Sequence, residues 1–536
     1  MQNIKAILKL GYLFLVPIVL AFVFESIFKT ISWNIFFDVI ENSLFAILLI
    51  SPLYVFYNSK WNAVYIILAF LFFCICTYFE TAYYYLFNTY FSPSAVFVVL
   101  DSSLNEASEF IGFYMDVPLM VFTLVFWMVS LVLLFKVKSL LPLSLQRSRK
   151  NTIKIGVTVL AIVVFLKIST LIVFNLPYLL VKSNVEYYQE SKKIGDYESN
   201  KAGNFHNVMR PKSEEEELYV IIIGESTNRS HFGLYGYYRQ TTPELNKLKD
   251  ELLIYNDVIS PHAYSIGALT KILTLANYES PENITKGSII QLINSAGFDT
   301  YWLSNQRPIG PYESLITKIS LSSKHHKFLT TTIAGKSKVL DGELFNEFNK
   351  TLKDIKRKKN VIFLHMMGTH HQYENRYPKA FNKFKDEPIS NFNSKESHKK
   401  INSYDNAILY NDFLIAEAIK KVKTLNIKSF VLFFSDHGEE MFNDLDMAGH
   451  NEDIYSKNML DIPFILWEST KYKKEKDLDF VAERKYMIDD LIYSAADLLD
   501  IEAMEIDYSR SIFNINFKER KRIIKDTINY DTYFKK

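Results

Sequence analysis

Cysteine is almost missing from this chain. Its 536 residues hold only Cys74 and Cys76, both inside one apolar run. Outside that run there is no disulfide, no thiol nucleophile and no cysteine-based metal site. Excess charge of one sign is missing too: the net charge is +2, so no global field points to nucleic acid. No internal repeat and no low-complexity tract occurs. Residues 84–115 contain neither Lys nor Arg. Aromatic residues, in contrast, are plentiful at 15 %, with 42 Phe and 34 Tyr crowded toward the first third. The length leaves room for two or three domains.

Five apolar stretches are long enough to cross a bilayer, near 8–28, 36–57, 61–83, 117–137 and 154–176. The first reads as an uncleaved anchor, because no small-x-small site follows it and four more spans come after. Lys5 and Lys9 flank its start, Lys60 lies in the second loop, and the fourth loop holds Lys136, Lys138, Arg147, Arg149, Lys150 and Lys154. The opposite side carries only Lys29. The positive-inside rule then puts the N-terminus in the cytoplasm and the C-terminal part outside, which in a bacterium is the periplasm. The loop 84–115 reads as short helices in the membrane interface, with Tyr83 to Tyr85 in an aromatic belt. Its acids, Asp101, Glu106 and Glu109, are either solvated anchors or partners of a cationic lipid headgroup. Residues 177–217 form a polar linker that begins helical and ends irregular.

From 218 onward, strands alternate with helices. Strand-like runs fall at 219–223, 299–303, 361–365, 429–434 and 463–466. Helical patterns fall at 243–252, 266–277, 286–295, 341–355, 404–424 and 486–499. This predicts an α/β domain with a mostly parallel sheet covered on both faces. Glu225 follows one apolar run and Asp436-His437-Gly438-Glu439 follows another. Ligands collect at such strand ends, and two carboxylates with an imidazole suit Zn²⁺ or Mn²⁺. A buried sheet end has little other reason to hold ionisable groups.

The apolar spacing of 266–275 places Ser265 at a helix N-terminus. There it either caps the helix or offers a hydroxyl whose pKa a divalent metal would lower. His370, in the loop after 361–365, and His450, shortly after the Asp-His pair, fit acid or phosphate-ligand roles. Arg376 reads as a structural partner in the His370 loop.

The runs GESTNRSHFGLYGYYRQTTPEL (224–245), WLSNQ (302–306), HMMGTHHQYENRYP (365–378), YDNAILYND (404–412) and SDHGEE (435–440), with the later His450, carry a resemblance. The chain resembles the bacterial membrane-bound phosphoethanolamine transferases, which share the alkaline phosphatase and sulfatase fold. The resemblance implies a transmembrane domain of five helices over 1–176, a linker over 177–217 and a periplasmic sulfatase-like domain over 218–536, held at the inner membrane. It implies Glu225, Asp436, His437 and Ser265 as ligands of Zn²⁺, a better candidate than Mn²⁺. Ser265 stands where the family's nucleophile usually is threonine. The usual Cys-Gly-Thr surroundings are replaced by Ser260-Pro261-His262-Ala263-Tyr264, which leaves Thr270 as the alternative nucleophile.

By the same resemblance, His370 and His450 bind the phosphoryl group or a second metal, with Glu439 a further candidate for such a site. Glu106 stands near the donor's ammonium. The implied reaction moves phosphoethanolamine from phosphatidylethanolamine, through an adduct on Ser265, to lipid A, a lipopolysaccharide core sugar, another glycan or a protein. Absence of periplasmic disulfides points away from the lipid A branch. A phosphoglycerol transferase of the lipoteichoic acid type is the nearest rival, and a non-catalytic membrane scaffold is a further one. A sulfatase fits less well, because Ser265-Ile266-Gly267-Ala268-Leu269 lacks the Cys/Ser-x-Pro-x-Arg pattern that yields formylglycine.

Overall fold

The computed structural model describes residues 2–54, 61–101, 104–139, 149–194, 197–306, 315–329 and 339–535; some further side chains, including that of Glu106, lie outside the described set. The chain divides into two compact units. One comprises Met1–Phe97 and Tyr114–Tyr187, the other Val98–Phe113 and Tyr188–Lys536.

The N-terminal helices are α1 (Gln2–Phe28), α2 (Trp33–Ile50), α3 (Asn62–Phe87), α4 (Pro93–Asp101), α5 (Leu104–Tyr114), α6 (Val117–Ser139), α7 (Arg149–Ile168) and α8 (Leu176–Ile194). Four segments among the described residues are long and apolar enough to cross a membrane: Leu10–Phe28, Trp33–Leu53, Asn62–Phe87 and Val117–Phe135. The fifth expected span, 154–176, is not one of these four. Its helix α7 stops at Ile168, Thr170 takes a left-handed conformation at φ 61°, and a 3-10 turn at Leu171–Phe174 leads into α8. Expected loop 84–115 contains α4 and α5, of which residues 98–113 pack with the second unit.

Helices α1, α2, α3 and α6 share an apolar core that includes Leu13, Phe14, Phe70, Phe73 and Phe126. Phe24 stacks on Phe122 with ring centroids 4.2 Å apart. The same helices bury Glu25, Asp38, Glu41 and Glu80. Asn42 Nδ2 donates to Asp38 at 3.1 Å and Glu80 at 3.3 Å. Asn175 Nδ2 donates to Glu41 at 2.8 Å, and the Leu176 amide to Glu80 at 2.9 Å. Two of the four acids thus tie down the start of α8, where backbone N–H groups lack helical partners.

The second unit is built on a seven-stranded sheet. Its strands are β1 (Glu217–Gly224), β2 (Leu252–Tyr255), β3 (Asp299–Ser304), β4 (His325–Phe328), β5 (Lys359–His365), β6 (Lys428–Ser435) and β7 (Phe464–Glu468), in the spatial order β2-β7-β6-β1-β5-β3-β4. β7 runs antiparallel to β6 and to β2; the other pairs are parallel. Every residue of β1 and β6 is buried, as expected for central strands covered on both faces. Ile221, Ile222 and Ile223 are fully buried, and each such side chain stabilises the fold by about 1.5–3 kcal/mol.

Five strands match apolar runs read from the sequence. β4 does not, because His325-His326-Lys327 is an exposed edge with no apolar alternation. β2 lies at the end of an expected helix, 243–252, which stops early as α9 (Pro243–Lys247). The remaining helices that matter here are α10 (Ser265–Ile272), α11 (Ile289–Ser295), α12 (Leu315–Leu321), α13 (Asp341–Asp354) and α14 (Lys395–Thr424). Parallel register sets Ile223 beside His365 and Gly224 beside Ser435, with Ser304 beside His365 on the other side. Four strands therefore release their chains at one edge. That edge is where residues 225, 305–306, 366–370 and 436–437 gather.

Candidate active site

Glu225 leaves β1 and its carboxylate takes four polar neighbours. Ser226 Oγ donates to Oε1 at 2.7 Å, Gln306 Nε2 to Oε2 at 3.0 Å, and Ser265 Oγ lies 3.1 Å from both oxygens. His437 Nε2 stands 3.4 Å from Oε1. Asp436 Oδ1 accepts from the Ser226 and His437 amides at 3.0 and 2.7 Å. Its other oxygen, Oδ2, is buried without a hydrogen-bond partner, and His437 Nε2 stands 3.5 Å away. His437 Nδ1 donates to the Gly438 carbonyl at 2.7 Å, which turns Nε2 toward the two carboxylates.

Ser265 is the first residue of α10, and its Oγ lies 3.3 Å from His437 Nε2. The structure thus brings Glu225, Ser265, Asp436 and His437 together. Thr270 stands apart from them, with its hydroxyl donating to the Ile266 carbonyl at 2.6 Å within the helix.

Two carboxylates this close strain one another's ionisation. Burial, and then the Glu225 charge, push Asp436 up to about 8. Burial opposes the Glu225 charge as well, but the hydrogen bond to His437 and that ring's charge hold its carboxyl well below the usual range. Burial disfavours a charged His437, yet the two carboxylates push it up to about 10. Ligand atoms of Glu225, Asp436 and His437 all lie within 4.8 Å of one another. An orphaned buried oxygen, a second carboxylate, an imidazole nitrogen and a hydroxyl form a donor set that fits a divalent ion such as Zn²⁺.

Two further histidines flank this cluster. His450 Nδ1 bonds Glu439 Oε2 at 2.6 Å, and its ring lies 4.2 Å from that of His437. Glu439 is buried and also accepts from Tyr373 OH at 2.5 Å. The His370 and His371 rings lie with centroids 3.9 Å apart, tilted by 38° to one another. Burial drives the His370 pKa down to about 3 and that of His371 well below the usual value, so both rings are neutral. Of the expected site residues, the side chains of Glu106 and of Asp101, the other candidate headgroup partner, lie outside the described set.

Several supports carried no role in the sequence reading. Tyr404 OH donates to the Ser226 carbonyl and accepts from the Asn228 amide, both at 2.8 Å. Thr369 Oγ1 donates to the carbonyls of Glu225 and Ser226 at 2.9 and 2.8 Å. Asp341 accepts from the Met367 and Gly368 amides at 2.9 Å each. Gly368, at φ 54°, passes so close to Glu225 that a Cβ would stand 2.7 Å from the Glu225 nitrogen. Only glycine allows that approach. Glu452 accepts from His262 Nδ1 and the Ala263 amide at 2.8 Å each, steadying the approach to Ser265. Gln306 follows β3, so the strand-end rule that marked Glu225 would have marked it. Tyr404 and Asp341 sit in helices and carry no such local signal.

A family model for sulfatases matches residues 217–501. The chain is 30 % identical over 486 residues to "Phosphoethanolamine transferase EptC" of Escherichia coli (strain K12), covering 84 % of this chain and 83 % of that protein. The crystal structure of the C-terminal periplasmic domain of EcEptC from Escherichia coli, in complex with Zn, aligns with 61 % of this chain and 96 % of its own at 33 % identity, with a TM-score of 0.59. Lipooligosaccharide phosphoethanolamine transferase A from Neisseria meningitidis, an integral membrane protein, aligns over 95 % of this chain and 97 % of its own, with a TM-score of 0.68. At 20 % identity that last likeness is one of fold.

Proposed function

This chain belongs to the phosphoethanolamine transferases built on a sulfatase-type domain, and from that premise we propose that it moves phosphoethanolamine from phosphatidylethanolamine to a cell-envelope acceptor through a covalent adduct on Ser265. It is a multi-pass protein of the bacterial inner membrane with its catalytic domain in the periplasm. One observation carries the proposal: the Ser265 hydroxyl sits 3.1 Å from both Glu225 oxygens and 3.3 Å from His437 Nε2, beside the orphaned Asp436 oxygen.

Glu225, Ser265, Asp436 and His437 would hold Zn²⁺. When bound, the ion supplies a Lewis acid that lowers the hydroxyl pKa and offsets phosphoryl charge. The chain does the rest. Ser265 Oγ, deprotonated, attacks phosphorus as the bond to the diacylglycerol oxygen breaks, and His450, oriented by Glu439, delivers a proton to that oxygen. The start of α10 favours the anionic group through its free amides and dipole. His370, kept neutral, binds the transferring group. An acceptor hydroxyl, giving its proton to the His450 ring that the first step left neutral, or an acceptor phosphate, then attacks phosphorus and Ser265 Oγ leaves as the alkoxide. Glu106 remains the proposed partner of the donor's ammonium. The acceptor classes are lipid A, a lipopolysaccharide core sugar, another glycan or a protein.

We also assign α7 as the fifth span. A cytoplasmic N-terminus and a periplasmic catalytic domain require an odd number of crossings, and α7 is 20 residues long, enough to cross.

The test is mass spectrometry of the full-length protein after incubation with phosphatidylethanolamine. An added phosphoethanolamine on Ser265, absent from Ser265→Ala, is expected. An adduct that persists in Ser265→Ala, or one with the mass of phosphoglycerol, refutes the reading.

A further inference from the structure

Helix α5 lies in sequence between two membrane-crossing helices, yet residues 98–113 pack with the catalytic unit. The contact centres on the His370 loop. Arg376 Nε donates to the carbonyls of His370 and His371 at 3.1 and 3.2 Å, and Nη2 donates to His371 again at 2.8 Å. The same guanidinium forms an ion pair with Glu109 of α5. Gln372 Nε2 donates to the Glu109 carbonyl at 2.8 Å. Gly112, one turn on, leaves room for the Gln372 amide, since a Cβ there would stand 2.9 Å from Gln372 Nε2 and push that side chain aside.

α5 also reaches the second histidine. The Phe113 ring meets Tyr373 edge-on at 5.3 Å, and Tyr373 OH holds the Glu439 carboxylate that binds His450. Phe110 and Phe113 both face His371, at 6.3 and 6.2 Å.

We propose that α5 is a positioning element of the active site, in which Glu109, acting through Arg376, sets the peptide planes that aim His370. The physical reason is the geometry of the guanidinium. Its planar fork holds two successive carbonyls at once, which leaves the His370 and His371 peptides no freedom to rotate. The ion pair with Glu109 is one-quarter exposed or less on either side, so removing the carboxylate leaves a shielded charge that pulls Arg376 toward other partners. Among the described residues no hydrogen bond or ion pair joins Glu109 to Glu225, Ser265, Asp436 or His437, and its carboxylate lies within 4.8 Å of a ring nitrogen of both His370 and His371. The inference rests on the reading that His370 acts at the transferred group.

The experiment uses the full-length protein in lipid, with Glu109→Gln, Arg376→Gln, the double variant and Glu109→Asp. Two readouts are taken together: steady-state transfer, and the rate at which diethyl pyrocarbonate modifies His370 and His371, resolved by peptide mass spectrometry. Each single Gln variant is expected to lower kcat about 10-fold, with the donor KM nearly unchanged. Each is also expected to raise the modification rate of the two histidines several-fold. The double variant should be no worse than the weaker single one, and Glu109→Asp should restore most of kcat. Losses that multiply in the double variant overturn the proposal, as does unchanged histidine reactivity. Should Glu109→Gln fail to accumulate folded, Gly112→Ala displaces Gln372 from α5 and is judged by the same two readouts. The underlying reading fails separately: full transfer by His370→Ala would remove His370 from the chemistry, while the histidine reactivities would still decide whether α5 aims the loop.

Discussion

Two of the clusters of carboxylates that the transferase buries serve different ends. In the membrane unit, Asp38, Glu41 and Glu80 meet amides, those of Asn42, Asn175 and the first N–H of α8, while both Glu25 oxygens and Glu41 Oε2 are buried without a hydrogen-bond partner. Among the described residues, no cationic side chain forms an ion pair with any of them. In the catalytic unit, Glu225 and Asp436 are pressed against an imidazole and a hydroxyl, with one carboxylate oxygen left unpaired. The first set joins helices. The second leaves donor atoms of two carboxylates, an imidazole and a hydroxyl converging on one centre, and the difference lies in what faces the acids, not in how deeply they are buried. Strand ends fixed by parallel register can hold like charges a few ångströms apart. Helix faces in a bilayer are stable only if each acid finds a donor or keeps its proton.

Mutations can break this contrast. The largest effect is expected from Ser265→Ala, which should lower transfer by on the order of 10⁴-fold or more and abolish the adduct, with thermal unfolding unchanged. Next comes the metal. Asp436→Asn should lose bound zinc, measured by elemental analysis, and lower transfer by about 100-fold or more. Chelation of the wild type should reproduce that loss and re-addition of Zn²⁺ should reverse it. Glu41→Gln and Glu80→Gln should leave zinc content untouched, which sharpens the comparison.

A smaller effect concerns acid. Burial drives His365 down to about 4 and His370 to about 3, so the folded state resists protonating them. Groups with lowered pKa support the fold above their unfolded value near 6.5, and that support fades as pH falls toward 4 and 3. The wild-type unfolding temperature should therefore drop between pH 7 and pH 4. His370→Gln should lessen the loss of unfolding free energy between pH 7 and pH 4 by up to about 3 kcal/mol, and an unchanged slope would refute the assignment. The smallest effect is structural. Asn175→Ala should destabilise the membrane unit by about 1–2 kcal/mol, because a Glu41 oxygen loses its donor, and should leave transfer per folded molecule intact.

Much of the site was legible in the sequence because buried parallel strands announce themselves as unbroken apolar runs. Glu225, Asp436 and His437 each follow such a run, and a polar residue at that position needs a reason. Local pattern marked Ser265 only as a helix start; its place beside Glu225 came from the family resemblance, since 40 residues separate the two and only the crossover into α10 brings them together. β4 escaped because an exposed edge strand needs no apolar face. The fifth expected span, 154–176, is broken at Thr170 and is not among the four long apolar helices of the described residues, because hydropathy does not register a left-handed turn. Glu109 gave no signal, since an acid on a short amphipathic helix looks like any solvated acid until Arg376 meets it.

Local chemistry in the chain therefore determined the membrane helices, the order of strands and helices, and which residue types stand at the strand ends. Those properties depend on neighbours within a few positions, through hydropathy, periodicity and capping. Tertiary structure alone decided which hydroxyl joins the acids, which carboxylate oxygen stays unpaired, and which helix aims the histidine loop. Each of these is a distance between residues far apart in sequence, set by register and packing, and no local pattern encodes it.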